Sequence, residues 1–306
     1  MFGISTAWKS GDLKDGYQLI DEMEKTGIPG IELEYRITSP IFEQIKKRLH
    51  TSSLKVLSLH NYCPHPDILP DDRASGDAFN LASIDEEERK SAVTYSLRTI
   101  RNAHELGAQA VVFHLGKIGI EWERRRWFEL YDKGKFQDDE GRKFFKRKLK
   151  ERENAKKPYF DALLKSLEKL NYEAEKFNIW LGEENRYFLN ELPNFDEVGI
   201  ILDRFKGGNI GYWHDVGHAQ ANETFGISVH ENYLKTYSNQ LVGVHLHDSQ
   251  RVGFNDHFAP GSGLIDYDMI KKYLPQNAVR IIEVHSKVSF DELQKGVQFL
   301  KEKGIV

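Results

Sequence analysis

The segment NIGYWHDVGHAQ, residues 209–220, begins like a buried strand and ends on ionisable side chains. Its first half is apolar and aromatic, as in a strand inside a covered parallel sheet. Its second half then brings His214, Asp215 and His218 within five residues. In a parallel barrel, side chains at the carboxyl ends of the strands point into one shared mouth. The same ending recurs along this chain, and it predicts both the fold and the chemistry.

Strand-like and helix-like segments alternate along the 306 residues. Longer amphipathic patterns predict the helices, and one of them, DEEERKSAVTYSLRTIRNAHELG, opens with acids that suit a helix N-terminus. Short apolar runs predict strands at residues 2–5, 30–34, 55–60, 108–116, 178–184, 209–215, 241–248 and 279–285. Strict alternation favours a parallel sheet, and eight units close a (β/α)₈ barrel. We therefore predict an α/β fold with a single TIM-barrel domain over residues 1–306.

A doubly wound open sheet is the alternative for this alternation. Its dinucleotide-binding form places a G-x-G-x-x-G turn after the first strand, and this chain has none there. The net charge of -4 gives no general reason to expect a nucleic-acid or membrane partner. The single cysteine, Cys63, excludes an intrachain disulfide. Neither a signal region nor an apolar run of membrane-spanning length is found, so we expect a soluble, cytoplasmic metabolic protein.

Residues 117–157 interrupt the alternation between the fourth strand and its helix. This insert is strongly basic and carries several aromatic residues, including Trp122 and Trp127. In a barrel it lies on the side that holds the active site. Its charges favour a solvated helical hairpin, whereas its position favours a lid or an anion-steering arm over the pocket.

Six consecutive predicted strands end at or near a histidine or a carboxylate. These residues are His60, His114, Glu184, Asp215, His245 and Glu283. Each alone has an ordinary explanation; Asp215, for example, could cap the following helix. Together they would bury several carboxylates side by side, which is very unfavourable without compensation. A divalent cation turns that repulsion into shared coordination, so we predict a metal site.

The predicted metal ligands are three carboxylates and one imidazole: Glu184, Asp215, His245 and Glu283. Such donors suit Mn²⁺, Mg²⁺, Co²⁺ or Zn²⁺ rather than an ion that prefers thiolates. Additional imidazoles at the same mouth favour zinc or manganese and leave room for a second and a third ion. These belong to His60, His114, His218 and His257. By strand alternation, His214 is expected to point away from the metal.

Six motifs, in this order, resemble the xylose isomerase-like TIM-barrel superfamily, which includes endonuclease IV and the sugar isomerases and epimerases. They are VVFHLGK, LGEENR, WHDVGHA, VHLHDS, HFAPGSG and IIEVH. The resemblance covers nearly the whole chain outside the 117–157 insert. It is specific for the superfamily but not for a substrate, and two branches fit.

Resemblance to the ketose 3-epimerases and related isomerases implies one metal ion on the four predicted ligands. It also implies that Glu184 and Glu283 move protons on and off a substrate carbon, and that His218 contacts substrate oxygens. A metal on the carbonyl and a neighbouring hydroxyl stabilises a cis-enediolate, while a carboxylate on each face exchanges the proton. We favour this branch: an isomerase or epimerase of a small carbohydrate, sugar acid or sugar phosphate. Dehydratases and lyases share this chemistry.

Resemblance to endonuclease IV implies instead a three-zinc site that hydrolyses a phosphodiester in abasic DNA. One ion would be held by His60, His114 and Glu184. The four-ligand set would hold the second ion. The third would be held by His218, His257 and a nearby aspartate.

The chain departs from the endonuclease pattern at that aspartate. The family places it two residues before the loop histidine, where this chain has Asn255, while Asp256 directly precedes His257. This departure and the acidic net charge favour the isomerase branch. A third hypothesis, a binding protein that has kept a metal, ranks last because none of the ligand carboxylates is missing. Related barrels often pair, so a homo-oligomer is compatible with the resemblance.

Overall fold

The chain folds into a closed barrel of eight parallel strands, which confirms the predicted fold class. A computed structural model describes residues 1–250 and 255–306. Each strand pairs with its neighbour in chain order, and the eighth closes on the first. The strands are β1 (Phe2–Ser5), β2 (Gly30–Leu33), β3 (Lys55–His60), β4 (Ala110–Phe113), β5 (Trp180–Glu184), β6 (Ile210–Asp215), β7 (Leu241–Leu246) and β8 (Val279–Ile282).

Helices cover the outside of the barrel. They are α1 (Ala7–Ser10), α2 (Gly16–Lys25), α3 (Ser39–Leu49), α4 (Glu86–Glu105), α5 (Arg124–Asp132), α6 (Asp139–Phe177), α7 (Phe195–Arg204), α8 (Val216–Thr224), α9 (His230–Tyr237), α10 (Tyr267–Tyr273) and α11 (Phe290–Glu302). Short 3₁₀ turns occur at Asp71–Arg73 and Ser238–Gln240. None of the helices within residues 1–250 and 255–306 is long and apolar enough to cross a membrane.

Four strands end sooner than the sequence pattern predicts, and in two of them a predicted site residue is left beyond the end. β4 ends at Phe113 and β8 at Ile282, so His114 and Glu283 are the first residues beyond them. The Glu283 N–H still donates to the carbonyl of Leu246 at 3.1 Å, which continues the direction of the strand. Both side chains therefore still reach the mouth of the barrel.

Trp213 fills the centre of the barrel beneath the mouth. Its indole is fully buried and packs inside the barrel with Leu57 of β3, Val112 of β4 and Ile281 of β8. A Cβ on Gly243 would come within 2.1 Å of this ring, so a glycine is required there. The imidazole of His245 lies on the mouth side of the indole, with ring centroids 5.1 Å apart. The tryptophan thus forms the floor of the candidate site.

The last part of the 117–157 insert and the barrel helix that follows it form one continuous helix. α6 runs from Asp139 to Phe177 and contains Pro158 in its interior. Proline removes one helical hydrogen bond. Buried side chains on both sides, among them Arg152 and Leu163, pack this helix against the rest of the protein.

The insert also has an apolar core of its own, which we call the insert cluster. Its residues are Trp127, Leu130, Phe136, Phe144, Ala221 and Phe225. The last two belong to α8 and its C-terminal end, so the insert rests on the helix that follows β6. Two of its basic residues are buried: Lys148 binds Glu151 at 2.6 Å, and Arg152 binds Glu197 at 2.6 and 2.7 Å. These two cations support the fold, and the role of the insert as a lid stays a prediction.

Candidate metal centre

Four strands bring the predicted metal ligands to one point above Trp213. The ligand atoms of this four-ligand group, Glu184, Asp215, His245 and Glu283, lie within 4.8 Å of one another. Nδ1 of His245 is 2.9 Å from Oε1 of Glu184 and 3.1 Å from Oε2 of Glu283. It is 3.7 Å from Oδ2 of Asp215. Three carboxylates therefore converge on one imidazole nitrogen.

A fourth carboxylate, Glu32, supports His245 from the other side of the ring. Both oxygens of Glu32 lie 3.2 Å from Nε2 of His245, and Ser58 donates to Glu32 at 2.7 Å. Metal-binding histidines commonly donate their second N–H to a carboxylate, which fixes the ring and its tautomer. With Nε2 bound to Glu32, Nδ1 is the nitrogen that can face an ion. The donor set and its support thus fit a divalent cation.

Electrostatics explain why this group needs a positive charge. Burial opposes a charge on His245, but Glu283, Glu32 and Glu184 raise its pKa well above the usual value. Burial would likewise raise the carboxylate pKa values, but nearby histidines lower those of Glu184 and Glu283 well below the usual value. The pKa of Asp215 is lowered to about 2, because His218 and His247 outweigh the effect of burial. A proton on His245 supplies part of the positive charge that a bound cation would supply.

Asp215 has both roles that the sequence left open. As the N-cap of α8, its Oδ1 accepts a hydrogen bond from the His218 N–H at 2.7 Å. The same carboxylate also belongs to the four-ligand group. Capping therefore holds this ligand in place instead of competing with metal binding.

His218 lies at the mouth beside the four-ligand group. Its Nδ1 donates to the carbonyl of Asn185 at 2.8 Å, which leaves Nε2 free to act as an acceptor or ligand. The ligand atoms of His218, Asp215 and His257 lie within 4.8 Å of one another. This arrangement brings two of the residues expected at an additional metal or substrate position, His218 and His257, together with Asp215 of the four-ligand group.

Asp256 lies beside His257 but outside the group of His218, Asp215 and His257. Its Oδ1 is 2.9 Å from Nδ1 of His257, and its Oδ2 accepts a hydrogen bond from Tyr187. It groups with His257 and His285, whereas Asp215 completes the group of His218 and His257. His257 adopts a left-handed backbone conformation, with φ of 59°, which turns its ring towards Glu283.

His60 and His114 form a further group with Glu184. Their ligand atoms lie within 4.8 Å of one another, and the two imidazoles meet edge to face with centroids 4.7 Å apart. Nδ1 of His60 donates to the carbonyl of Asn61 at 3.0 Å. Nε2 of His114 is 3.0 Å from Oε2 of Glu184.

Residues next to the predicted ligands on the same strand point away from the mouth, because side chains alternate along a strand. His214 contacts Tyr212 at 2.7 Å and His230 at 3.0 Å in the helix layer, as predicted. Glu183 is likewise buried on the outer side of β5, and burial raises its pKa well above the usual value.

Three residues at the site were not predicted from the sequence: Glu32, Arg186 and His247. Glu32 could have been found, because the alternation of GIELE places its two glutamates on one face of β2. His247 follows His245 by two residues and so shares its face. Arg186 lies beyond the end of β5, and its side chain turns back to Glu184 at 3.0 Å. The alternation of side chains along a strand does not predict that contact.

Solved structures similar to this fold include several sugar epimerases. A D-tagatose 3-epimerase-like protein gives a TM-score of 0.71 at 18% identity, covering 99% of this chain and 97% of that chain. D-psicose 3-epimerase from Clostridium cellulolyticum H10, solved with D-tagatose, gives 0.68 at 14% identity and 98% coverage of both chains. The IolI protein with a bound zinc atom gives 0.67 at 14% identity, covering 99% and 96%. At these identities the likeness shows the fold alone.

Sequence comparisons assign the chain to a family. A comparison with curated proteins found no match. The family model described as xylose isomerase-like TIM barrel matches residues 20–303, a range that contains all the predicted ligands. The chain therefore belongs to the xylose isomerase-like TIM-barrel family.

Proposed function

We propose that this protein is a divalent-metal-dependent isomerase or epimerase of a small carbohydrate. The observation that carries the proposal is the convergence of Glu184 and Glu283 on Nδ1 of His245, at 2.9 and 3.1 Å. The two glutamates come from β5 and from the end of β8, and Asp215 of β6 completes the group. Such a set can hold one ion and still offer two carboxylates for proton transfer.

A divalent cation held by this group would polarise a substrate carbonyl and stabilise the negative charge that develops on enolisation. In the proposed mechanism, Glu283 removes the proton from the carbon next to the carbonyl and later releases it to water. Glu184 takes up a proton from water and delivers it to the same carbon on the opposite face. Their lowered pKa values keep both glutamates ionised near neutral pH, which is the form that accepts a proton. His218 offers Nε2 to a substrate oxygen. Zinc and manganese fit the mixed oxygen and nitrogen donors, as do magnesium and cobalt.

The burial of the group favours a small substrate. Glu184 is 1% exposed, Asp215 and His245 are fully buried, and Glu283 is 7% exposed. A sugar is small enough to reach a buried group through the mouth of the barrel. Exclusion of water there protects an enediolate from side reactions. The sugar epimerases among the structurally similar proteins support a carbohydrate over other carbonyl compounds.

Hydrogen exchange tests this proposal directly. The protein, loaded with manganese or zinc, is incubated in D₂O with a panel of ketoses, sugar acids and their phosphates. We expect deuterium to appear at the carbon next to the carbonyl of one substrate class, observed by NMR, together with its epimer or isomer. A metal-loaded protein that exchanges no substrate hydrogen across the panel would contradict the proposal.

A phosphodiesterase remains the second candidate because two further donor groups adjoin the four-ligand group. These are His60, His114 and Glu184 on one side and Asp215, His218 and His257 on the other. Together they could hold a multi-zinc cluster of the kind that attacks a phosphodiester. Cleavage of abasic DNA by the zinc-loaded protein would favour this candidate.

A further inference from the structure

Arg186 contacts the donor group of His60, His114 and Glu184 at the mouth. Its Nη1 is 2.6 Å from Nε2 of His114 and 3.0 Å from Oε2 of Glu184. Its Nη2 is 3.2 Å from Oε1 of Glu191 and 3.4 Å from Oδ2 of Asp77. Only 8% of the residue is exposed. The guanidinium thus contacts the atoms that an ion shared by His114 and Glu184 would use.

The hydrogen-bonding roles in this contact are fixed by arginine chemistry. A guanidinium has five N–H donors and no acceptor, and it stays protonated in proteins. Nε2 of His114 must therefore accept from Arg186 with its lone pair. The ring proton then lies on Nδ1, which faces Oδ2 of Asp77 at 3.2 Å. A metal ion needs the same Nε2 lone pair, so ion and arginine compete for one position.

The surroundings hold the guanidinium in place. Glu191, Asp77 and Glu184 surround it with three carboxylates, and removal of one member of a buried ion group leaves the others uncompensated. The loop after β3 also closes over the two histidines. A Cβ on Gly76 of this loop would come within 2.7 Å of Nδ1 of His114 and 2.8 Å of Cε1 of His60.

We propose that Arg186 is a built-in cation that replaces a metal ion at the group of His60, His114 and Glu184. The four-ligand group then binds its ion beside a fixed positive charge, and Glu184 is shared between them. Its Oε1 faces His245 at 2.9 Å, while its Oε2 is held by Arg186. This inference rests on the proposed function and narrows that proposal. A multi-zinc cluster that needs an ion on His60 and His114 is incompatible with Arg186.

The test counts metal ions per chain after zinc loading and removal of free zinc. Arg186→Met removes the charge but keeps a long side chain, and we expect one more zinc per chain than in the wild type. Arg186→Lys keeps the charge and is expected to match the wild type. Adding His114→Ala to Arg186→Met should remove the extra ion. Anomalous scattering from a crystal of Arg186→Met should place the extra zinc between His60 and His114.

His114→Ala in the otherwise unchanged protein gives an independent test, which does not require Arg186→Met to fold. We expect its zinc content to equal that of the wild type. Loss of one zinc in this variant would overturn the inference, as would an Arg186→Met protein that folds and gains no ion. These counts do not depend on turnover. Failure of every carbohydrate assay would refute the proposed function alone, whereas zinc on His114 in the wild type would refute only the role of Arg186.

Discussion

Nε2 of His247 donates a hydrogen bond to the carboxylate of Asp215, 3.0 Å from Oδ2 and 3.1 Å from Oδ1. The tautomer follows from the other nitrogen, because Nδ1 accepts the backbone N–H of His257 at 3.0 Å. A neutral imidazole has one N–H and one lone pair, so this contact fixes the proton on Nε2. Asp215 is therefore oriented by His247 and by the N-cap bond from His218.

We expect His247→Phe to weaken metal binding without unfolding the barrel. The variant keeps an aromatic ring but removes the N–H that orients Asp215, and loss of such partners typically costs about 10- to 100-fold in metal affinity. Zinc affinity, measured by competition with a chelator, checks this. His247→Gln restores a donor and should recover part of the affinity. His50→Phe, at an exposed position, is the control. Unchanged affinity in His247→Phe would rule out the orienting role.

Glu283→Gln and Glu184→Gln should each lower kcat by about 10²- to 10⁴-fold, the usual contribution of a general acid or base. The amide keeps the shape of the side chain but cannot accept the substrate proton. Turnover and deuterium exchange are measured together with metal content, because both glutamates are also predicted ligands. Full activity in either variant would exclude that glutamate from proton transfer.

Glu183→Gln is the matched control for these variants. Glu183 precedes Glu184 in the sequence, but its carboxylate is buried on the opposite face of β5. Within the described parts of the chain, its two oxygens have no hydrogen-bond partner, and burial raises its pKa well above the usual value. Burial therefore favours the uncharged form of Glu183, and an amide of the same size is a mild replacement. We expect unchanged turnover and metal content.

Strand alternation explains how much of the site could be predicted from the sequence. Asp215, His245 and Glu184 lie on inward positions of parallel strands, where a period of two fixes the direction of each side chain. The same rule correctly predicts that the side chain of His214 points away from the mouth. Alternating strands and helices predict a parallel sheet, and the count of eight units together with the missing G-x-G-x-x-G turn favours the barrel over an open sheet.

The unpredicted part of the site depends on side chains that follow no local period. Arg186 returns to Glu184 from the loop after β5, and the contact requires the positions of His114 and Asp77, both distant in sequence. Asp256 points to His257 and Tyr187 because of the conformation of its own loop. Such contacts are set by tertiary packing and are not encoded in a motif.

The metal-free protein should lose stability as the pH rises above neutral. Carboxylate neighbours raise the pKa values of His245 and His257 well above the usual value, although burial opposes this. A raised pKa contributes stability that is complete below the unfolded value of about 6.5 and is lost as the pH rises through the folded pKa. Urea unfolding with a chelator between pH 6 and 9 measures the decline. A free energy of unfolding that increases over this range would contradict the protonated state of these histidines.

Acid should destabilise the same protein for the opposite reason. The folded pKa values of Asp215, Glu184 and Glu283 are lowered, so their contribution is present above the unfolded values of about 4 and is lost as the pH falls. Buried histidines with lowered pKa values, among them His214 and His230, also cost stability as they take up protons below about pH 6.5. We therefore expect the stability of the metal-free protein to fall from about pH 6.5 towards acid. A series of urea denaturations from pH 3 to 6 checks the acid side.

Metal binding should become tighter as the pH rises. An ion must displace the proton that His245 shares with its carboxylates, so binding releases a proton. Zinc affinity is then expected to increase by up to about 10-fold per pH unit for each proton released. Added zinc should raise the melting temperature more at pH 8 than at pH 6, and chelation should lower it. An affinity independent of pH would show that metal binding displaces no proton from His245.

Trp127→Ala tests whether the insert supports the site. Trp127 is 1% exposed, and its ring centroid lies 4.9 Å from that of Phe136 and 5.2 Å from that of Phe225. Truncation of such a residue typically costs about 3–5 kcal/mol, measurable by urea denaturation. Because Phe225 follows α8, which carries His218, we expect KM to rise while metal content stays unchanged. Tyr172→Ala, at a position of α6 that is 63% exposed, is the control. A destabilised variant that keeps the wild-type KM would show that the insert does not affect substrate binding, and it would exclude a lid.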